Sequence, residues 1–157
     1  MRRWLFLTYL KHKTKKGGLR RDMTDYGNWR HFFLAAGAFN ICGALAFSIM
    51  PSMGMELMTG YRTEEPAVLF IYLLFWFFAA VFGVGYCLVG LYPTQNHGIV
   101  IIGGAAKLLL FPMAVYAWAN DFGTLLWVVL IFGDVIWAMF FGLFLRITLL
   151  RSVGGET

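Results

Sequence analysis

Charge is what this sequence has least of: 13% of its 157 residues are Asp, Glu, Lys or Arg, where a typical soluble domain has about a quarter. Too few remain to cover a water-facing surface. Cysteine is nearly absent as well. Cys42 and Cys87 both lie in apolar stretches with no CxxC or Cys/His spacing around them, so each reads as a small hydrophobe and neither reports on redox compartment. Nucleotide loops are also missing. GVGYCLVG at 83–90 has neither GxGxxG spacing nor a preceding strand, and reads as helix packing. GGAAKLL at 103–109 lacks the GKS or GKT ending of a phosphate loop and falls inside an apolar run. Nothing in the sequence calls for a cofactor.

Apolar residues are what it has in excess. Hydrophobic residues make up 60% of the chain and aromatics 18%, with a mean hydropathy of +0.69, the composition of an integral membrane protein. Crossing a hydrocarbon core of about 30 Å takes roughly 20 residues of helix. Four runs are long enough: residues 29–50, 67–91, 98–118 and 122–149. The expected fold is therefore all-α, a polytopic four-helix transmembrane bundle over residues 29–150. Residues 1–28 form a basic, partly amphipathic arm and 151–157 a short tail. The arm opens like a signal peptide, but KHKTKK stands where a small-residue cleavage site belongs and the apolar stretch before it is short. It reads as an interfacial anchor followed by a polybasic segment.

The net charge of +5 does not indicate nucleic acid, because nine of the thirteen Lys and Arg fall within residues 1–30, beside the first span. That placement indicates attraction to a lipid surface. Arg146 and Arg151 add positive charge at the other terminus, whereas the 51–65 segment sets Arg62 against Glu56, Glu64 and Glu65. The positive-inside rule then predicts both termini in the cytoplasm. Residues 51–65 are too polar to span, and Met53, Met55, Leu57 and Met58 predict a short amphipathic segment on the outer surface. Met50, Met53, Met55 and Met58 have spacings that a Cu(I) site uses, but methionine is also a common filler at apolar interfaces, and no metal is expected.

Within the spans, Ala36, Gly37, Gly43 and Ala44 bracket Asn40, a pattern that brings a neighbouring backbone close and gives the Asn a partner across helices. Ala79, Gly83, Tyr86 and Gly90 share one face of the second span, whose aromatics Phe70, Phe75, Trp76, Phe77, Phe78 and Phe82 suit protein or lipid equally. Pro93 and Asn96 close a tight turn, and Pro112 interrupts the third span. His97 reads as a solvated interfacial residue, and Tyr116, Trp118 and Trp127 as rim anchors. The fourth run, longer than a bilayer requires, should tilt or project beyond it.

One cation, Lys107, stands near the middle of the third run, and Asp134 is the only acid in the fourth. Antiparallel helices joined at 119–121 would hold the two at one depth. A charge at the bilayer centre costs from about 2.5 to more than 10 kcal/mol, so such residues are paired and often functional. Two uses are open. The pair either fixes helix register, or it polarises a cavity in which Tyr86 and Asn40 supply hydrogen bonds to a small ligand or a proton relay. In the second case Asp134 is the group that changes protonation when a ligand displaces Lys107.

The segments AAGAFN, GVGYCLVGLYP, NHGIVIIGGAAK and IFGDVIWAMF, spread over roughly residues 31–148, together resemble a group of small uncharacterised bacterial four-helix membrane proteins of DoxX-like architecture. The resemblance implies a fold and carries no residue role. Two functions are expected from different classes. One is binding of a small lipophilic or quinone-like molecule at Lys107, Asp134, Tyr86 and Asn40, with or without its conversion or passage. The other is a non-catalytic accessory subunit within a larger membrane complex or homo-oligomer.

Overall fold

A computed structural model describes residues 26–154, and the basic arm lies almost wholly outside that range. Among the described residues five helices follow one another: α1 (Gly27–Ile49), α2 (Pro51–Thr59), α3 (Pro66–Leu91), α4 (His97–Ala119) and α5 (Leu125–Gly154). No strand occurs among the described residues. Four of the helices are long and apolar enough to cross a membrane, and the protein is a multi-pass membrane protein built as an all-α four-helix bundle. The expected 151–157 tail begins inside α5, which runs on as helix to Gly154.

Short-range chemistry explains where the helices stop and start. Pro51 and Pro66 each occupy the first turn of a helix, where the missing N–H would be unsatisfied anyway. Gly60 ends α2 at φ 80°, its N–H donating to the Glu56 carbonyl, a left-handed cap that favours glycine. Between α3 and α4, Asn96 turns its side-chain amide back onto the Tyr92 carbonyl at 3.1 Å, closing the end of α3.

The α4–α5 connection is longer than the sequence suggests. Asp121 takes φ 61°, the Phe122 N–H donates to Ala117 and the Asp121 N–H to Trp118, so α4 ends in a Schellman turn. Thr124 then caps α5, its hydroxyl accepting from the Trp127 N–H at 3.1 Å. The fourth span, α5, therefore begins at Leu125, not at the expected Phe122. Thr124 also ties α2 in place, since its hydroxyl donates to the Leu57 carbonyl at 2.6 Å and its N–H to Met58 at 2.9 Å.

The core has two parts. At the end of the bundle that carries residue 26 and the last turns of α5, Phe33, Tyr86, Val89, Val100, Phe141 and Phe144 are almost completely buried. The Phe33 ring meets Phe144 edge-on at 4.8 Å and Phe141 at 5.2 Å, which joins α1 to α5 through large rings. At the α2 end, Phe47 stacks on Trp76 at 4.4 Å, and Met55 and Met58 pack against the same cluster. Met50 and Met53 are exposed, so the four methionines divide between two environments.

Along α1 and α3 the contact is backbone to backbone. A methyl group at Gly37 would stand 2.6 Å from the Gly83 carbonyl oxygen, and one at Gly83 would stand 2.9 Å from that of Gly37. Only glycine permits that approach. Gly43 behaves differently from the expectation: a methyl there would meet nothing within 4 Å, because this face of α1 borders open space.

Candidate functional site

That open space is a cavity of about 430 Å³ in the half of the bundle nearer α2. All four residues singled out from the sequence, Asn40, Tyr86, Lys107 and Asp134, line it. Helix geometry explains the meeting of the two ions. Lys107 precedes the end of α4 by twelve residues and Asp134 follows the start of α5 by nine, distances of about 18 and 14 Å along antiparallel axes. The Lys107 ammonium and an Asp134 carboxylate oxygen form an ion pair.

The partners are unequally enclosed, with side-chain exposures of 8% for Lys107 and 18% for Asp134, so the carboxylate is the more accessible from the cavity. The Lys107 ammonium also stands 5.9 Å from the centre of the Tyr86 ring, within cation–π range. Tyr86 is 1% exposed and lies edge to face with Phe141 at 4.9 Å. Asn40 reaches across to α3, where its amide donates to the Ala79 carbonyl at 3.3 Å. It therefore holds α1 to α3 while keeping its place in the cavity wall.

The remaining wall is apolar, and several of its residues were not singled out from the sequence. Trp76 is 9% exposed, and its buried indole N–H, beside Tyr72, makes no well-aligned hydrogen bond. Trp127, expected as a rim anchor, is half-buried. It turns inward, its ring 6.4 Å from Trp76, and lines the cavity. His97 is half-buried, its Nε2 has no hydrogen-bond partner among the described residues, and its ring packs 5.9 Å from Phe144. Extending the Ala79–Tyr86 stripe backwards by helical steps reaches Trp76 and Tyr72, both buried. That periodicity was the available signal. Gly103 lies one turn before Lys107 on the same face of α4, where it makes room for Tyr86.

No protein-family model, curated protein or solved structure matches this chain. The chemistry must be read from the cavity alone. A lysine ammonium has three donors, and one is engaged by Asp134. The carboxylate offers acceptor sites beyond the one facing Lys107. A guest with an oxygen acceptor can take a bond from Lys107, and one with a hydroxyl can donate to Asp134. Apolar walls make both interactions stronger than they would be in water.

Proposed function

We propose that the protein binds a small lipophilic or quinone-like molecule at Lys107 and Asp134, with or without its conversion or passage. The observation that carries this reading is the placement of an ion pair on the wall of a cavity of about 430 Å³ that is otherwise largely apolar. A register device needs no such space beside it. A cavity lined mainly by hydrophobic and aromatic side chains with a few placed polar groups is the usual form of a small-molecule site. The proposal includes the bacterial cytoplasmic membrane as location, both termini on the cytoplasmic side, and a DoxX-like relationship at the level of fold.

The double variant Lys107→Met with Asp134→Leu tests it. Exchanging a buried ion pair for apolar residues of similar volume is often neutral or stabilising, so the double variant stays folded. Binding of a tail-free benzoquinone to the detergent-solubilised protein, read by quenching of tryptophan emission, is then lost. A folded double variant that binds the benzoquinone as the native protein does overturns the proposal.

A second reading, an accessory subunit in a larger complex, would use one face of α3, where Phe70, Ile71 and Phe77 are 66%, 67% and 60% exposed and can face a partner subunit as readily as lipid. Recovery of the protein from its native membrane in fixed stoichiometry with other subunits supports that reading. Recovery as a single species supports the first.

A further inference from the structure

The cavity does not end at its own wall. A second cavity, of about 630 Å³, continues along α4 from the α3–α4 opening towards the α2 end, and the two share Phe75, Leu110, Met113 and Trp127. Beyond those four this seam is bordered by Pro112, Tyr116 and Ala117 of α4 and by Phe122 and Gly123 of the turn after it, and closed by Met58 and Thr59 of α2. The reason for the seam lies in how α3 and α4 meet. Near their connecting turn they are in contact, a methyl at Gly85 falling 3.0 Å from Ile99 and the Tyr86 ring lying against Gly103. Further along they part, and Phe78, Leu109 and Met113 at the opening are 53%, 64% and 65% exposed.

The charged groups are confined to one end of this path. Lys107, Asp134, Tyr86 and Asn40 belong to the first cavity and none of them to the second, whose wall is apolar apart from the Tyr116 and Thr59 hydroxyls. Met113 lies six residues beyond Lys107 on α4, about 9 Å along the helix. A space with a charged, hydrogen-bonding end and an apolar extension of that reach matches a molecule with a compact polar ring and a hydrocarbon tail.

We infer that the ligand is a tailed amphiphile: its oxygen-bearing ring head sits against Lys107 and Asp134, and its apolar tail lies along the α3–α4 seam past Met113 towards Met58. This rests on the proposed binding at the ion pair and adds the chemical class of the ligand and the direction in which it lies. The other occupant that the seam suits, the acyl chain of a bilayer lipid, would fill it whatever the head group of the probe.

The test uses two probes with one head: decylubiquinone, and the same dimethoxy-methyl-benzoquinone ring without the decyl chain. Trp76 and Trp127 line the path, so tryptophan quenching reports both. Ala117→Phe fills the seam at a half-buried position that borders the second cavity and not the first. It weakens binding of the tailed probe about tenfold, equivalent to about 1.4 kcal/mol, and leaves the tail-free probe unchanged. Equal effects of Ala117→Phe on the two probes, or none on either, overturn the tail path while leaving binding at the ion pair intact. Failure of both probes to bind the native protein overturns the underlying reading and the inference with it. Independently of any variant, a tailed benzoquinone carrying a diazirine at the tail end should label the native protein at Met58, Tyr116 or Ala117. Labelling at Phe39 or Trp137, on the opposite α1–α5 side of the cavity, overturns the seam as the tail's course.

Discussion

Tyr86 can lie where it does because Gly103 has no side chain. A methyl at Gly103 would fall 2.4 Å from the Tyr86 hydroxyl oxygen and 2.7 Å from the ring, so Gly103→Ala must displace the ring. Overpacking of this kind costs about 1–3 kcal/mol. Tyr86→Phe removes the nearest of the clashing atoms, so the two changes are coupled: Gly103→Ala made together with Tyr86→Phe destabilises by less than the sum of the single variants, measured by chemical unfolding in detergent. Strict additivity would mean that the ring does not lie on Gly103. Read for binding, Tyr86→Phe alone tests whether the hydroxyl contacts a guest, and a loss of affinity is expected from one deleted hydrogen bond of about 0.5–1.5 kcal/mol. At this scale the charged residues and Tyr86 were legible from sequence and the tryptophans were not. Lys107 and Asp134 stand out because any charge in an apolar run is conspicuous, and distance along antiparallel helices pairs them. Trp127 has the composition of a rim anchor, and only the packing of its ring on Trp76 reveals that it faces inward.

Between elements, closeness and openness are divided by glycine position. Gly37 and Gly83 set α1 against α3 at backbone contact, whereas Gly43, less than two turns from Gly37, borders the cavity. Gly37→Ala and Gly83→Ala should each destabilise the bundle by about 1–3 kcal/mol, because the nearest obstacles include backbone carbonyl oxygens that cannot rotate aside. Gly43→Ala meets no atom and should be neutral or stabilise by up to about 1 kcal/mol through helix propensity. Unfolding midpoints of the three variants in one detergent check the ordering, and a Gly43→Ala as damaging as Gly37→Ala would show that the cavity face of α1 is closed. The small-residue pattern predicted a close approach correctly at Ala36, Gly37 and Ala44. It failed at Gly43 because spacing cannot tell which of two neighbouring turns faces a partner and which faces a void. The α4–α5 junction was misplaced for a related reason: Phe122 is apolar enough to extend the run, while the Schellman turn at Asp121 and the cap at Thr124 depend on local hydrogen bonding that hydropathy does not see.

For the molecule as a whole, the two ends of the bundle differ in kind. The end that holds residue 26 and the last turns of α5 is filled by interlocking rings, and the α2 end encloses the cavity and its seam. Rigid packing at one end and space at the other fit a site reached from the α2 side or from the seam. Which side of the membrane that end faces follows from charge. Arg30 and Arg146 lie towards the ring-filled end, and eight further Lys and Arg precede residue 26, whereas the α2–α3 segment carries Glu64 and Glu65 beside Arg62. Lys and Arg near span ends are retained on the cytoplasmic side, so the ring-filled end is expected inside and the α2 end outside. Single cysteines introduced as Thr63→Cys and Ser152→Cys, in a background where Cys42 and Cys87 are replaced by Ala, measure this with a membrane-impermeant maleimide. Cys42 and Cys87 lie within α1 and α3, so their removal leaves the connecting segments unchanged. Label added to intact cells should reach the cysteine at 63 and miss the one at 152, and permeabilised cells should label both. The reverse pattern in intact cells would invert the molecule in the membrane. The ion pair would then remain at mid-depth, but its cavity and the α3–α4 seam would open towards the cytoplasm, and a guest approaching along the seam would come from that leaflet.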